Sequence, residues 1–253
     1  MKRKLKLSLM LALAATFLFT SVALAATYST RTVNFDGYSN GHTYTKSNFD
    51  SDFGNSDYYI VNNATISSGQ LKIKLPANQE NVGLKARVTL PEKMSYYAEM
   101  KFWVPSGFPF GTLNDLKLPL GFGGGTNPTG GTPDPYNGWS VRLFKNTDGK
   151  LGLYAYHAYQ SSNYGDKWMT DVTFNTNTWY TVQLWVKVNN SNTSNGELKL
   201  WINGVQKINK TGIRWSHNNK NINKYHADLF RGGAGDPPNS DAYFYIDYIK
   251  WWY

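Results

Sequence analysis

The stretch from Gly138 to Tyr159, G-W-S-V-R-L-F-K-N-T-D-G-K-L-G-L-Y-A-Y-H-A-Y, constrains the fold more than any other. Two alternating runs flank N-T-D-G, the pattern of a hairpin whose turn ends in a left-handed glycine. With Thr147-Asp148-Gly149 as a type I turn closed by a glycine bulge, Asn146 lies opposite Lys150. Arg142 then faces Tyr154, and Ser140 faces Tyr156. Side chains alternate across a strand, so Ser140, Arg142, Tyr154 and Tyr156 share one face. Trp139, Val141, Leu143, Leu151, Leu153 and Ala155 take the other. One face packs, and the other gathers a guanidinium, two phenols and a hydroxyl.

The rest of the chain reads the same way, as short strands between Asn, Gly, Ser and Pro clusters, without a helical period. The expected strands are Thr30–Phe35, Tyr58–Val61, Gln70–Leu75, Gly83–Leu90, Tyr96–Val104, Trp139–Lys145, Leu151–Tyr159, Trp179–Val188, Gly196–Ile202 and Ala242–Trp252. Such spacing predicts an all-β, single-domain jelly roll, two antiparallel sheets with a concave substrate groove. Phe108 to Asn137 reads as a long Gly/Pro-rich loop edging the site. Its Gly121–Gly125 run is not a phosphate loop, since no Gly-Lys-Ser/Thr follows.

Residues 1–25 read as a secretory signal: Lys2-Arg3-Lys4-Leu5-Lys6, an apolar run, then Ala23-Leu24-Ala25. The expected product is a secreted domain over residues 26–253, with no membrane attachment after cleavage. Removing the leader lowers the formal charge from +9 to +5, because it carries four basic residues and no acidic ones. The balance suits an anionic partner. Runs of Lys/Arg like those of nucleic-acid binders are absent, so no nucleic acid is expected. With no cysteine, an exported chain of this length must rely on its core. A monomer is expected.

Several chemistries are excluded. A glycosidase needs two carboxylates flanking the scissile bond, and no expected strand presents two acids at alternate positions. The histidines, at 42, 157, 217 and 226, lack metal-ligand spacing, and no metal or cofactor is expected. His157 falls on the face opposite Tyr156 and reads as structural. Nothing near Ser140 in sequence supplies the His–Asp partner of a serine triad. Asp50, Asp52 and Asp57 crowd one loop with oxygen ligands that suit calcium, but without EF-hand spacing the loop reads as turn-rich first.

Lys, Arg and Tyr remain, a set that suits β-elimination from a uronic acid polymer. The C5 proton becomes acidic once the adjacent carboxylate is neutralised by Arg or Lys. A phenolate or neutral amine can then remove it, and a phenol or ammonium can protonate the departing O4. Parity adds a wider surface: Lys85 and Arg87 on one strand, Lys101 on the next, and Gln183, Trp185 and Lys187 on a third, each opposite an apolar face. These are expected to share a polyuronate-binding face with Arg142.

The order K-L-P (117–119), G-G-G, S-x-R, L-Y-x-Y, W-Y-T-V-Q-L-W-V-K-V-N, G-E-L-K-L-W-I-N-G and F-R-G-G resembles the jelly-roll alginate lyases of polysaccharide lyase family fourteen. The resemblance runs from about Gly83 to the C-terminus. It implies that Lys117, Ser140, Arg142, Tyr154 and Tyr156 correspond to the family's catalytic residues, with an acidic polysaccharide as substrate. The chain differs at Leu116, where a glycine usually precedes the lysine, at Leu120, and at Arg231, which replaces an aromatic. A noncatalytic carbohydrate-binding module of the same fold is the alternative, and a structural matrix protein a more distant one.

Overall fold

The computed structural model describes residues 29–61, 63–79, 83–110, 115–126, 134, 136–231 and 237–253. The leader, residues 1–25, and much of the 108–137 loop lie outside the described residues.

The strands in chain order begin with β1 (Thr30–Asn34), β2 (Ser56–Val61), β3 (Ala64–Ser67), β4 (Gln70–Leu75) and β5 (Gly83–Lys93). They continue through β6 (Ser95–Trp103), β7 (Leu116–Gly125), β8 (Gly138–Lys145), β9 (Lys150–Tyr156) and β10 (Asp166–Thr173). The last are β11 (Tyr180–Lys187), β12 (Gly196–Ile202), β13 (Val205–Ile213), β14 (Ile222–His226), β15 (Leu229–Arg231) and β16 (Ala242–Trp252).

They form two antiparallel sheets. Sheet A runs β13-β12-β11-β6-β16-β4-β3, with β1 also on β16; sheet B runs β10-β9-β8-β7-β14-β5-β15, with β2 also on β5. Alternation drives the layering: β11 and β12 bury every second residue, so Val182, Leu184, Val186, Leu198 and Leu200 enter the core and their neighbours stay outside. Between the sheets these side chains meet Trp139, Val141, Leu143, Leu151 and Leu153 of sheet B in one continuous core. The jelly-roll expectation holds.

Some elements were not anticipated. Lys46–Phe53 is a helix, α1, capped by Thr45 and Asn48 in a reciprocal box. Its Phe49 and Phe53 stack at 4.3 Å and are buried, contributing about 1.5–3 kcal/mol each. The T-x-x-N cap and the F-x-x-x-F spacing were its signals. Asp50 and Asp52 therefore sit on a helix. Asp50 accepts from Ser56, Asp52 from the Tyr38 and Tyr44 hydroxyls, and Asp57 pairs with Arg87 and Lys224. The three carboxylates serve three separate sets of partners and do not converge as a calcium loop would.

Part of the long Gly/Pro-rich loop is β7, a strand at the centre of sheet B. Its glycines hid it. Gly121 pairs with Arg142, where a Cβ would stand 2.5 Å from the Val141 carbonyl oxygen and 3.1 Å from the Arg142 Cα. Glycine there lets the two backbones close. Pro119 falls in the irregular stretch between the Lys117–Phe144 and Gly121–Arg142 pairs, where a residue without an N–H does least harm. Among the described residues, no helix is long and apolar enough to cross a membrane.

Candidate active site

The β8–β9 hairpin has the expected register: Ser140 faces Tyr156, Arg142 faces Tyr154, and the Asn146 N–H donates to the Lys150 carbonyl at 3.0 Å. Gly149 has a φ of 76°, the left-handed conformation that closes the turn. β7 lies on the other side of β8, and its Lys117 pairs with Phe144. Phe144 has the parity of Ser140 and Arg142, so the site face runs through Lys117, Phe144, Arg142, Ser140, Tyr154 and Tyr156. Phe144, Tyr154 and Tyr156 form their own cluster, separate from the core, with Met169 of β10 against it.

Lys117 is only 8% exposed, and its ammonium sits 4.6 Å over the Tyr154 ring while donating to the Asp115 carbonyl at 3.1 Å. Burial, together with Arg142, Lys167 and Arg231 nearby, lowers its pKa to about 8 against the opposing pull of Asp115. A neutral amine is therefore accessible near neutral pH. The Tyr154 hydroxyl donates to that of Tyr156 at 2.5 Å. Burial and that bond push Tyr154 well above the ordinary phenol range, so it stays protonated. The geometry turns Tyr154 into a support: it occupies an acceptor site on the Tyr156 oxygen and leaves the Tyr156 proton for another partner.

Arg142 is held from behind. Its Nε stands 3.3 Å from Asp228 Oδ2, and its Nη2 stands 3.3 Å from His226 Nδ1. His226 Nδ1 is also 3.1 Å from Asp228 Oδ2. His226 is fully buried, and burial and Arg142 drop its pKa to about 4 despite Asp228. Burial acts to raise Asp228, but Arg142 and His226 outweigh it and hold the carboxyl below its usual range. The site thus fixes a charged guanidinium on a buried carboxylate beside a neutral imidazole. Sequence reading missed this pair. The H-x-D alternation of His226 and Asp228 was its signal, hidden because β14 is only five residues long. A His–Asp pair does exist in the fold, and it backs Arg142.

The wider binding face needs correction. Lys85 and Arg87 lie on β5 in sheet B with Arg142, and the Lys85 ammonium caps the Phe230 ring at 4.6 Å. Lys101, Gln183, Trp185 and Lys187 lie on β6 and β11, in sheet A. Each sheet turns one face to the core, so these four leave the sandwich on the side opposite Arg142. Parity told which residues leave the core, not which sheet carries them. His157 bonds Asp166 at 2.8 Å and packs on Trp168, as a structural residue would. Leu116 and Leu120 are core residues, and Arg231 pairs with Leu116 close to Lys117.

The sequence model of polysaccharide lyase 14 matches residues 63–248. The chain belongs to polysaccharide lyase family 14. Among solved structures, the alginate lyase Aly36B matches the lyase with a TM-score of 0.78 at 27% identity, over 88% of this chain and 96% of that one. A double mutant of Aly36B, with a lysine and a tyrosine replaced by alanine, is solved in complex with an alginate tetrasaccharide. The PL-14 alginate lyase of Aplysia kurodai matches at 0.70 and 19% identity, over 87% of this chain and 97% of that one. The endo-β-1,4-glucuronan lyase of Trichoderma reesei shares the fold at 0.51 and 11% identity, over 85% of this chain and 94% of that one. No curated protein matches the lyase.

Proposed function

We propose that the lyase is an exported, monomeric enzyme that cleaves alginate or a related polyuronate by β-elimination. The observation that carries this is the buried Lys117, its pKa lowered to about 8, beside the Tyr154–Tyr156 pair and Arg142. Arg142, oriented by Asp228, holds the uronate carboxylate with Ser140 alongside, which acidifies C5–H. The neutral Lys117 amine takes that proton. The electron pair becomes the C4=C5 double bond, the C4–O4 bond breaks, and Tyr156 gives O4 its proton. Lys117 and Tyr156 then return to their starting protonation states through solvent.

The Aly36B–tetrasaccharide complex, obtained with a lysine and a tyrosine removed, supports the same pairing of residue types. Incubation with polymannuronate, polyguluronate and glucuronan, following the ultraviolet absorbance of unsaturated uronyl ends, tests the reaction and ranks the substrates. Absorbance on none of them would overturn it. The rate should rise with pH and level off above about 8, as Lys117 loses its proton. N-terminal sequencing of the exported protein should begin at Ala26.

A further inference from the structure

The outward face of sheet A is built of rings. Trp252, Tyr97 and Trp185 lie side by side across β16, β6 and β11, with centroids 5.2 and 5.8 Å apart. Tyr245, Trp103 and Trp179 make a second row at 4.6 and 5.9 Å. Along β6 the rows stand six positions apart, Tyr97 to Trp103, roughly 20 Å of strand. Between them Glu99 accepts from Gln183, Tyr248 and Lys250. Trp179 is 42% exposed, and the other rings of the two rows are half-buried.

Cross-strand ring pairs stabilise a sheet without any ligand. That accounts for the pairing of the rings, but not for the kind of group set among them. Lys199 caps Trp185 at 4.4 Å and Lys101 caps Trp179 at 4.7 Å. The outward residues of β6 are Ser95, Tyr97, Glu99, Lys101 and Trp103, with no aliphatic side chain. Protein interfaces are depleted in lysine at their centres, whereas rings bordered by ammonium and amide donors suit a sugar, with an apolar ring face and a polar rim. Lys72, Lys101, Lys187, Lys199 and Lys250 stand against Glu99, Glu197 and Asp247, so cations predominate. The rings also brace each other, so little side-chain freedom is left to lose on binding.

We propose that this face is a second, noncatalytic surface that holds an acidic polysaccharide on the side of the sandwich opposite the catalytic face. The choice of a uronate polymer rests on the lyase reading as well as on the charge. Two surfaces on one molecule raise the apparent affinity for chains long enough to engage both, or for a mesh of chains.

The test uses the Lys117→Ala chain, so that the polymer is not consumed. Migration is then followed in native gels containing long alginate. Retardation should appear, and Trp179→Ala/Trp185→Ala should weaken it roughly tenfold, the loss of one or two well-packed contacts. Circular dichroism and melting temperature report whether the variant folds. If it does not, Trp179→Ala alone serves, since that ring is the most exposed. No retardation of the Lys117→Ala chain would overturn the proposal, as would equal retardation of the folded tryptophan variant. Equal retardation by neutral hydroxyethyl cellulose would overturn the assignment to an acidic ligand. Formation of unsaturated ends by the parent chain is scored separately, so a failed lyase reading leaves the binding result interpretable.

Discussion

The outward faces of the two sheets use one vocabulary, lysine, aromatic ring and carboxylate at alternate positions, and they differ in how deep those groups lie. On sheet B, Lys117 and Arg142 are 8% and 6% exposed, and a buried Asp228 holds the guanidinium. On sheet A, Lys101 pairs with Asp247 at 2.8 Å, with both side chains about a third exposed. Solvent weakens the exposed pairs of the second face, the buried Glu99 apart, far more than it weakens Lys117, Arg142 and Asp228 on the first. Depth separates a place where a pKa can be moved and a proton transferred from a place where a polymer can rest.

The largest effects should follow removal of the proton-carrying groups. Lys117→Ala and Tyr156→Phe are expected to lower turnover on a polyuronate by about 10²–10⁴-fold each. Tyr154→Phe should lose less, because that hydroxyl only donates to Tyr156. Lys74→Ala, on sheet A, should leave turnover within about twofold, since the Lys74–Asp241 pair is a surface one. A lysine on either sheet proving equally costly would break the contrast.

Asp228→Asn strips the buried partner from Arg142. Stability should drop by about 3–5 kcal/mol in denaturant unfolding, the cost of an uncompensated buried charge. Near-native stability would show that Asp228 does not hold the guanidinium.

A third test uses pH. His226 goes from an ordinary value near 6.5 unfolded to about 4 folded, between Arg142, Arg87 and Asp228. The unfolded chain binds the proton first, so stability is full above pH 6.5 and falls as pH drops toward 4, by about 3 kcal/mol. Glu99 on sheet A works lower. Burial acts to raise its carboxyl, but bonds from Lys250, Gln183 and Tyr248 hold it below its ordinary 4.5, so its contribution is lost only beneath that pH. His157, lowered by burial against the pull of Asp166, adds to the upper window. The measure is therefore the slope of His226→Gln against parent between pH 6.5 and 4.5, and His226→Gln should be flatter.

The smallest effect belongs to the exposed pair. Asp247→Asn should change stability by no more than about 1 kcal/mol, and less in high salt. A loss comparable to that of Asp228→Asn would erase the distinction between the two faces.

Much of this was legible in the chain. Period-two alternation fixed the core face of each long strand, and the N-T-D-G turn fixed one register, because slipping a strand by a residue would exchange its faces. That brought Ser140, Arg142, Tyr154 and Tyr156 together before any tertiary contact was known. Lys117 entered only through the family motif, for a strand rich in glycine carries no alternation to read. What local pattern could not carry was sheet membership: Arg87 and Lys101 obey the same rule on adjacent strands of the sequence yet leave the sandwich on opposite sides. Nor could it carry depth, the property that lowers Lys117 and neutralises His226, because burial is set by neighbours far away in the chain. Asp228 reaches Arg142 across 86 residues of sequence, and only the closed sandwich puts it there.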